Sequence, residues 1–423
     1  MAEPQIVARA RAHGRSVALT SSGATLRYDE LLAQSGAAAA HLLDGRGDLA
    51  GARIALLLPP EPTFVVAQWA VWRAGGVCVP LSLHATPAEW EHVLRDSRVD
   101  TLLTTPALES RGRAVADSLG IAVRHLGVAS TPLPDVDPTR AATILYTSGT
   151  TSKPKGVVVS HAMLAAQTGS LVAAWEWTSQ DRIALFLPLH HIHGLVNVLA
   201  CALWSGATVE MLGGFDADRV LTRVAERAFT VFMAVPTIYV KLVAKFDAAQ
   251  PESTVRWASG FAALRLMVSG SAALPASLHA RWAELTGQRL LERYGMTEIG
   301  MALSNPMHGE RRPGAVGVPL PGVDVRLVDE EGKALGGEDL PGEIQVRGPG
   351  VFREYWGRAA DTAASFDGDW FRTGDVAVIE RGYYRIMGRR SVDIIKSGGY
   401  KLSALEIEAA LLEHPAIAEC AVV

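Results

Sequence analysis

"RIALLLPPEPTFVVAQWAVWRAGGVCVPL" occupies residues 53–81. Its ends, "RIALLL" and "VCVPL", are short unbroken aliphatic runs, the pattern of strands buried on both faces. Between them "TFVVAQWAVWRAGG" has the length of a helix and stops at a glycine pair. Strand, helix and strand in that order make a βαβ unit, which predicts a largely parallel sheet covered by helices on both faces. The alternation returns in "IALFLPL", "ATVEML" and "FTVFMAV", separated by helices such as 217–227. No internal repeat or low-complexity tract interrupts it.

The texture changes after residue 312. "GAVGVPLPGVDVRLVDEEGKAL" and "GEIQVRGPGVF" are strand-and-turn material dense in Gly and Pro. A second change follows "YYRIMGRR", near residue 389. The expected organisation is an α/β core over 1–312, a β-rich subdomain over 313–388, and a small final domain over 389–423. In that last segment "SALEIEAALLEHPAIAECAVV" reads as a short amphipathic helix followed by an apolar strand. A domain ending on an exposed strand reads as cut short.

Charge and cysteine usage narrow the classes. The formal net charge is −4, so the basic surplus of a nucleic-acid binder is absent. Cys78, Cys201 and Cys420 lie far apart with no CxxC pair, which argues against a zinc site or a disulfide framework. They read as buried thiols in a reducing compartment. The first residues, "MAEPQIVARARAHGR", show no apolar signal region. "VVAQWAVWRAGGVCVPL" is broken by Arg73 and two glycines and falls short of the ~20 clean residues of a membrane span. The expectation is a cytoplasmic protein with no membrane and no nucleic-acid partner.

"YTSGTTSKPKG" (146–156) lies between two strand-like runs, "ATILY" and "GVVVS". It lacks the GxxxxGK[ST] spacing of a Walker A loop and leads into three valines rather than a helix. Its ingredients still suit phosphate. Gly149 and Gly156 free the backbone so that N–H groups can converge on an anion. Thr147, Ser148, Thr150, Thr151 and Ser152 offer hydroxyls, and Lys153 and Lys155 add positive charge. On composition alone a solvated polar turn stays open beside this reading.

The remaining motifs decide between the two. "YTSGTTSKPKGVVVSH" resembles the phosphate-loop signature of the adenylate-forming superfamily, which holds acyl-CoA synthetases, adenylation domains and luciferases. "PLHHIHG" (188–194), "VPTIY" (235–239), "SGSAALP" (269–275), "ERYGMTE" (292–298), "WFRTGD" (370–375) and "GRRSVDIIKSGGYKLSALEIE" (388–408) follow in the family's order. The resemblance runs from "LRYDELL" nearly to the end. Ser152 departs from the usual Gly of the loop. The family's late lysine, which contacts the reacting carboxylate, has no counterpart in these residues.

The resemblance implies a two-step reaction using ATP, Mg²⁺ and coenzyme A. A carboxylate attacks the α-phosphate of ATP, and a thiol then displaces AMP from the acyl-adenylate. It implies that Thr147, Ser148, Gly149, Thr150, Thr151, Lys153 and Lys155 hold the β- and γ-phosphates. Thr147 and Glu298 help hold Mg²⁺. Tyr294 lies against the adenine face, with Glu292, Gly295 and Met296 shaping the slot and Ser271 and Ala272 along the edge. Thr297 reaches the α-phosphate, Asp375 takes the ribose hydroxyls, and Arg389 contacts the nucleotide just before the hinge. His191 stands near the α-phosphate and His193 on the acyl-pocket wall, while His190 reads as structural. Lys396, Ser397, Gly398 and Gly399 face the pantetheine thiol.

Arg293 bears on the acid. Buried arginine is rare unless paired, and an anionic substrate tail would pair it with bidentate geometry. An ion pair to Glu292 or to another protein carboxylate is the structural alternative. "LERYGMTE" with "SGSAALP", "VPTIY" and "HIHG" is similar to the malonyl-CoA synthetases of the superfamily, in which this arginine receives the distal carboxylate. Lys241, two residues beyond Tyr239, is a candidate second cation. The implied activity is a malonate–CoA ligase. Methylmalonate, loading of a separate carrier protein, and a catalytically incomplete nucleotide-binding fragment are the alternatives.

Overall fold

Val77, Cys78 and Val79 are almost wholly buried, as are Ala55, Leu56 and Leu57. That burial is why the two ends of the 53–81 stretch read as continuous apolar runs. In the computed structural model of the chain they form the parallel strands Arg53–Leu57 and Val77–Pro80, joined by the helix Pro62–Arg73. The structure describes residues 3–147, 153–397, 400–412, 414, 417 and 420–422. The chain folds as two units, one of residues 1–216 with 352–362, the other of residues 217–351 with 363–423.

The first unit holds a seven-stranded sheet. Its order is Glu354–Tyr355, Lys155–Ser160, Ala141–Thr147, Val77–Pro80, Arg53–Leu57, Thr101–Thr104 and Ala122–Arg124. The last five strands run parallel, and the first two are antiparallel additions at one edge. Trp69 is fully buried, and Trp72 donates its indole N–H to Ala142 O at 2.8 Å, pinning helix Pro62–Arg73 across the sheet. A second sheet pairs Arg182–Leu185, Thr208–Met211 and Val17–Ser21 in parallel, with Ala24–Arg27 antiparallel at its edge. The predicted strand "IALFLPL" stops at Leu185. Pro188 has no N–H to give a ladder, and the chain turns there into the helix His193–Ala200, whose hydrogen bonds are of the wide π type.

The second unit carries Val231–Ala234, Leu266–Ser269 and Leu291–Met296 as parallel neighbours, extended antiparallel by Gly300–Ser304 and Val318–Pro319. Its β-rich part is antiparallel throughout: Asp324–Val328, Gly342–Arg347, Trp370–Glu380 and Tyr383–Arg389. A hairpin of Ile394–Ser397 and Tyr400–Ser403 and the helix Ala404–Leu412 follow. The fold is therefore mixed α/β, with parallel-rich sheets and a β-rich subdomain. The predicted closing strand does not form at residues 420–422, where the described residues offer it no partner strand. Among the described residues no helix is long and apolar enough to cross a membrane.

Candidate active site

Strand Leu291–Met296 ends in a turn at residues 297–299, and its last four residues face a cavity of about 290 Å³ within the second unit. The cavity gathers Ser271, Ala272, Glu292, Arg293, Tyr294, Gly295, Met296, Asp375 and Arg389. Nine residues expected to touch the nucleotide or its substrate thus share one wall. Four segments supply them: the loop after Leu266–Ser269, the strand Leu291–Met296, the strand Trp370–Glu380, and the end of Tyr383–Arg389.

Tyr294 donates its hydroxyl to Asp375 Oδ2 at 2.6 Å, and Arg389 Nε lies 3.1 Å from Asp375 Oδ1. Burial raises the Asp375 carboxyl above its usual range, while Tyr294 and Arg389 pull it back down. Burial, with the adjacent carboxylate, holds the Tyr294 hydroxyl protonated.

Arg293 is 3% exposed. It donates from Nη2 to Ser271 Oγ at 3.1 Å, and among the described residues its Nε has no acceptor and no carboxylate lies within ion-pair distance. Burial lowers its pKa to about 9, which leaves it charged at neutral pH. Glu292 does not pair with it. That carboxyl accepts from Gly314 N–H at 2.9 Å, and burial pushes its pKa up to about 8. Gly270 is what lets the guanidinium pass, because a Cβ there would lie 2.6 Å from Arg293 Nε. Ser271 holds φ at +71°, a conformation that costs an ordinary residue energy and clusters at functional sites.

Thr297 and Glu298 sit in the turn that follows, with Glu298 only 5% exposed. Lys241 is exposed on helix Pro236–Ala248, outside the residues lining this cavity. Lys396 and Ser397 belong to strand Ile394–Ser397. Gly398 and Gly399 lie outside the described residues, as do Ser148, Gly149, Thr150, Thr151 and Ser152 of the loop.

In the first unit, strands Ala141–Thr147 and Lys155–Ser160 form the hairpin from which that loop springs, with Thr147 opposite Lys155. Lys153 is exposed. Lys155 is already engaged: its ammonium is 2.9 Å from Asp361 and 5.2 Å from the Tyr355 ring centre. His190 and His191 have ring centres 4.1 Å apart, and desolvation lowers both pKa values, that of His190 to about 4. Both imidazoles are therefore neutral at pH 7. His193 is buried at the start of the π-type helix. His190 also lines a cavity of about 170 Å³, together with Leu81, Phe186, Phe215 and His84 among others. Sequence reading did not single out His84, Phe215 or Asp361, and no local pattern marks them. Among the described residues no three His, Cys, Asp or Glu side chains form a metal cage.

The profile of the family described as "AMP-binding enzyme" matches residues 6–356. The chain is 45% identical to the mitochondrial malonate–CoA ligase ACSF3 of Bos taurus, with 98% of this chain and 78% of that one covered. Its fold superposes on ATP-bound MatB from Rhodopseudomonas palustris with a TM-score of 0.89, at 35% identity and with 100% and 85% of the two chains covered. A malonyl-CoA ligase in a ternary product complex with methylmalonyl-CoA and AMP matches at a TM-score of 0.80 and 39% identity, covering 97% of this chain and 86% of that one.

Proposed function

This chain belongs to the AMP-binding enzyme family, and from that premise we propose how its residues join malonate to coenzyme A. It is an AMP-forming acid–thiol ligase whose substrates are malonate, ATP and CoA. One malonate carboxylate attacks the α-phosphorus of ATP, and the bond to pyrophosphate breaks. The CoA thiol then adds to the acyl carbon of malonyl-AMP, and AMP leaves with the C–O bonding pair.

Only one carboxylate reacts, so the other must be held as an anion throughout. The observation that carries the reading is Arg293, buried and charged with no carboxylate partner among the described residues. A malonate carboxylate would complete it, with two parallel N–H···O bonds available. Ser271 fixes one guanidinium nitrogen, which orients the fork before substrate arrives. Lys241 and His193 are assigned to the acyl side as a second cation and a wall.

Tyr294 offers its ring to adenine, with Glu292, Gly295 and Met296 shaping the slot and Ser271 and Ala272 on its edge. Asp375 accepts from the ribose hydroxyls, preset by Tyr294 and Arg389. Thr297 donates to the α-phosphate. His191, neutral at pH 7, hydrogen-bonds there rather than acting as a cation. Thr147, Ser148, Gly149, Thr150, Thr151 and Lys153 hold the outer phosphates, and Lys155 completes that loop. Mg²⁺, when bound, neutralises charge on the transferring phosphates. The Thr147 hydroxyl and Glu298 carboxylate are the oxygens that would hold it, a sparse set suited to an ion that keeps waters and phosphate oxygens. Lys396, Ser397, Gly398 and Gly399 are assigned to the pantetheine thiol. The functional division proposed is 1–312, 313–388 and 389–423. The compartment proposed is the cytoplasm, on the strength of three free cysteines.

Methylmalonate is the second reading, favoured by the neighbour whose complex holds methylmalonyl-CoA. One methyl is worth only ~1–3 kcal/mol of discrimination. Steady-state kinetics with Arg293→Ala test the assignment. Losing one partner of a buried ion pair costs ~3–5 kcal/mol, so kcat/KM for malonate should fall more than a hundredfold, while acetate gains relative to it. An unchanged malonate-to-acetate ratio would reject the role of Arg293.

A further inference from the structure

Helix Pro87–Asp96 is locked at both levels. Thr86 caps its start and accepts from Glu89 N–H, with Pro87 at the first helical position. Trp90 and Leu94 are buried in the core beside Ile144 and Val158. His92 and Asp96 are also four residues apart, so they share a second face of the same helix. That face meets the hairpin Ala141–Thr147/Lys155–Ser160 at both feet of the 147–155 loop.

At the first foot, Tyr146 donates its hydroxyl to Asp96 Oδ2 at 2.7 Å. Tyr146 directly precedes Thr147, and its ring crosses over Gly156, where a Cβ would lie 3.1 Å from Tyr146 Cζ and 2.7 Å from Ile144 Cγ2. At the second foot, His92 Nε2 lies 2.9 Å from Pro154 O. The His92 ring also meets the Tyr146 ring edge-on, with 6.1 Å between centres. Asp96 is itself held from behind. Arg358 Nη2 is 3.2 Å from its Oδ1, and Trp356 Nε1 donates to its backbone oxygen at 3.1 Å. Trp356 N–H in turn donates to Gly156 O at 2.7 Å, and Asp361 holds Lys155 at 2.9 Å.

We propose that the His92/Asp96 face is a brace that fixes the separation and pitch of the two feet of the phosphate loop, with Asp96 as a positioning residue for the β- and γ-phosphates of ATP. The inference rests on the reading of 147–155 as the phosphate loop. Asp96 acts through Tyr146 and touches no substrate. Its loss should therefore weaken binding of the outer phosphates and leave the binding of AMP, which lacks them, unchanged.

Calorimetric titration of the full chain with ATP and with AMP, both in Mg²⁺, tests this. Asp96→Ala should raise the Kd for ATP about tenfold, equivalent to about 1.4 kcal/mol, without moving the Kd for AMP. Tyr146→Phe should reproduce that split, and Asp96→Asn, which keeps an acceptor for the tyrosine, should restore most of it. A rise in both Kd values together, or in neither, overturns the brace. If Asp96→Ala does not fold, Tyr146→Phe, which lacks one hydroxyl, decides by the same ratio. Thr151→Ala within the loop separates the two layers. If it shifts the ATP-to-AMP ratio while Asp96→Ala and Tyr146→Phe do not, the brace is wrong and the phosphate loop stands. If it too leaves the ratio unchanged, the phosphate-loop reading falls and the brace with it.

Discussion

Tyr294 and Asp375 share a hydrogen bond of 2.6 Å between residues eighty-one positions apart in the chain. It ties strand Leu291–Met296 to strand Trp370–Glu380. It also holds one oxygen of the carboxylate, while Arg389 holds the other. A carboxylate fixed from both sides would need no reorganisation to accept the ribose hydroxyls proposed for Asp375.

Tyr294→Phe keeps the ring and removes that anchor. Hydrogen bonds to charged groups contribute roughly 1.5–3 kcal/mol, so ATP and AMP should both bind about tenfold or more weakly. Calorimetry reads the two affinities, and their ratio should stay at the wild-type value because both ligands carry the ribose. A change confined to ATP would contradict the assignment of Asp375 to the sugar.

Gly270→Ala places a Cβ 2.6 Å from Arg293 Nε and 2.7 Å from its Cζ. The guanidinium must move, since the new Cβ is fixed to the backbone and the nearest atoms it meets belong to the Arg293 side chain. The malonate-to-acetate ratio of kcat/KM should drop by about tenfold or more, in the same direction as for Arg293→Ala. An unchanged ratio would mean that the present pose of Arg293 is not the one that meets substrate.

The Glu292 carboxyl is raised by burial from 4.5 to about 8. The folded chain therefore binds a proton between those two pH values that the unfolded chain has released. Stability contributed by this group is complete below pH 4.5 and declines as pH rises toward 8. Glu292→Gln keeps the acceptor for Gly314 N–H and does not titrate. Its thermal midpoint minus that of the wild type should grow from pH 5 to pH 8. A constant difference would show that Glu292 is already ionised in the folded chain.

The parts of this account visible in the sequence are those with local signatures. Runs such as 77–80 are buried on both faces and show no polar alternation. "ERYGMTE" and "WFRTGD" each place their candidate side chains within a few residues of one another, and the Tyr294–Asp375 hydrogen bond joins the two segments at one cavity. Lys155 reads as a phosphate cation because its neighbours are hydroxyls and glycines. The ion pair that Lys155 makes with Asp361 joins residues far apart in the chain, beyond any local pattern. His92 and Asp96 look like the solvated side of an amphipathic helix, because periodicity separates the buried Trp90 and Leu94 from polar residues and cannot tell which polar ones are used. Strand Glu354–Tyr355, two residues long, is too short for alternation to show. Arg293 is legible as unusual, but only the structure distinguishes a guanidinium with no carboxylate partner among the described residues from one paired with the adjacent Glu292.

This chain activates a dicarboxylate and leaves its second carboxylate untouched. Purified chain incubated with ATP, Mg²⁺, CoA and either malonate or acetate, followed by chromatography of nucleotides and thioesters, tests it most directly. AMP and malonyl-CoA should form in equal amounts from malonate, with far less thioester from acetate. Acetyl-CoA formed as readily as malonyl-CoA, or AMP released with acetate and none with malonate, would contradict it.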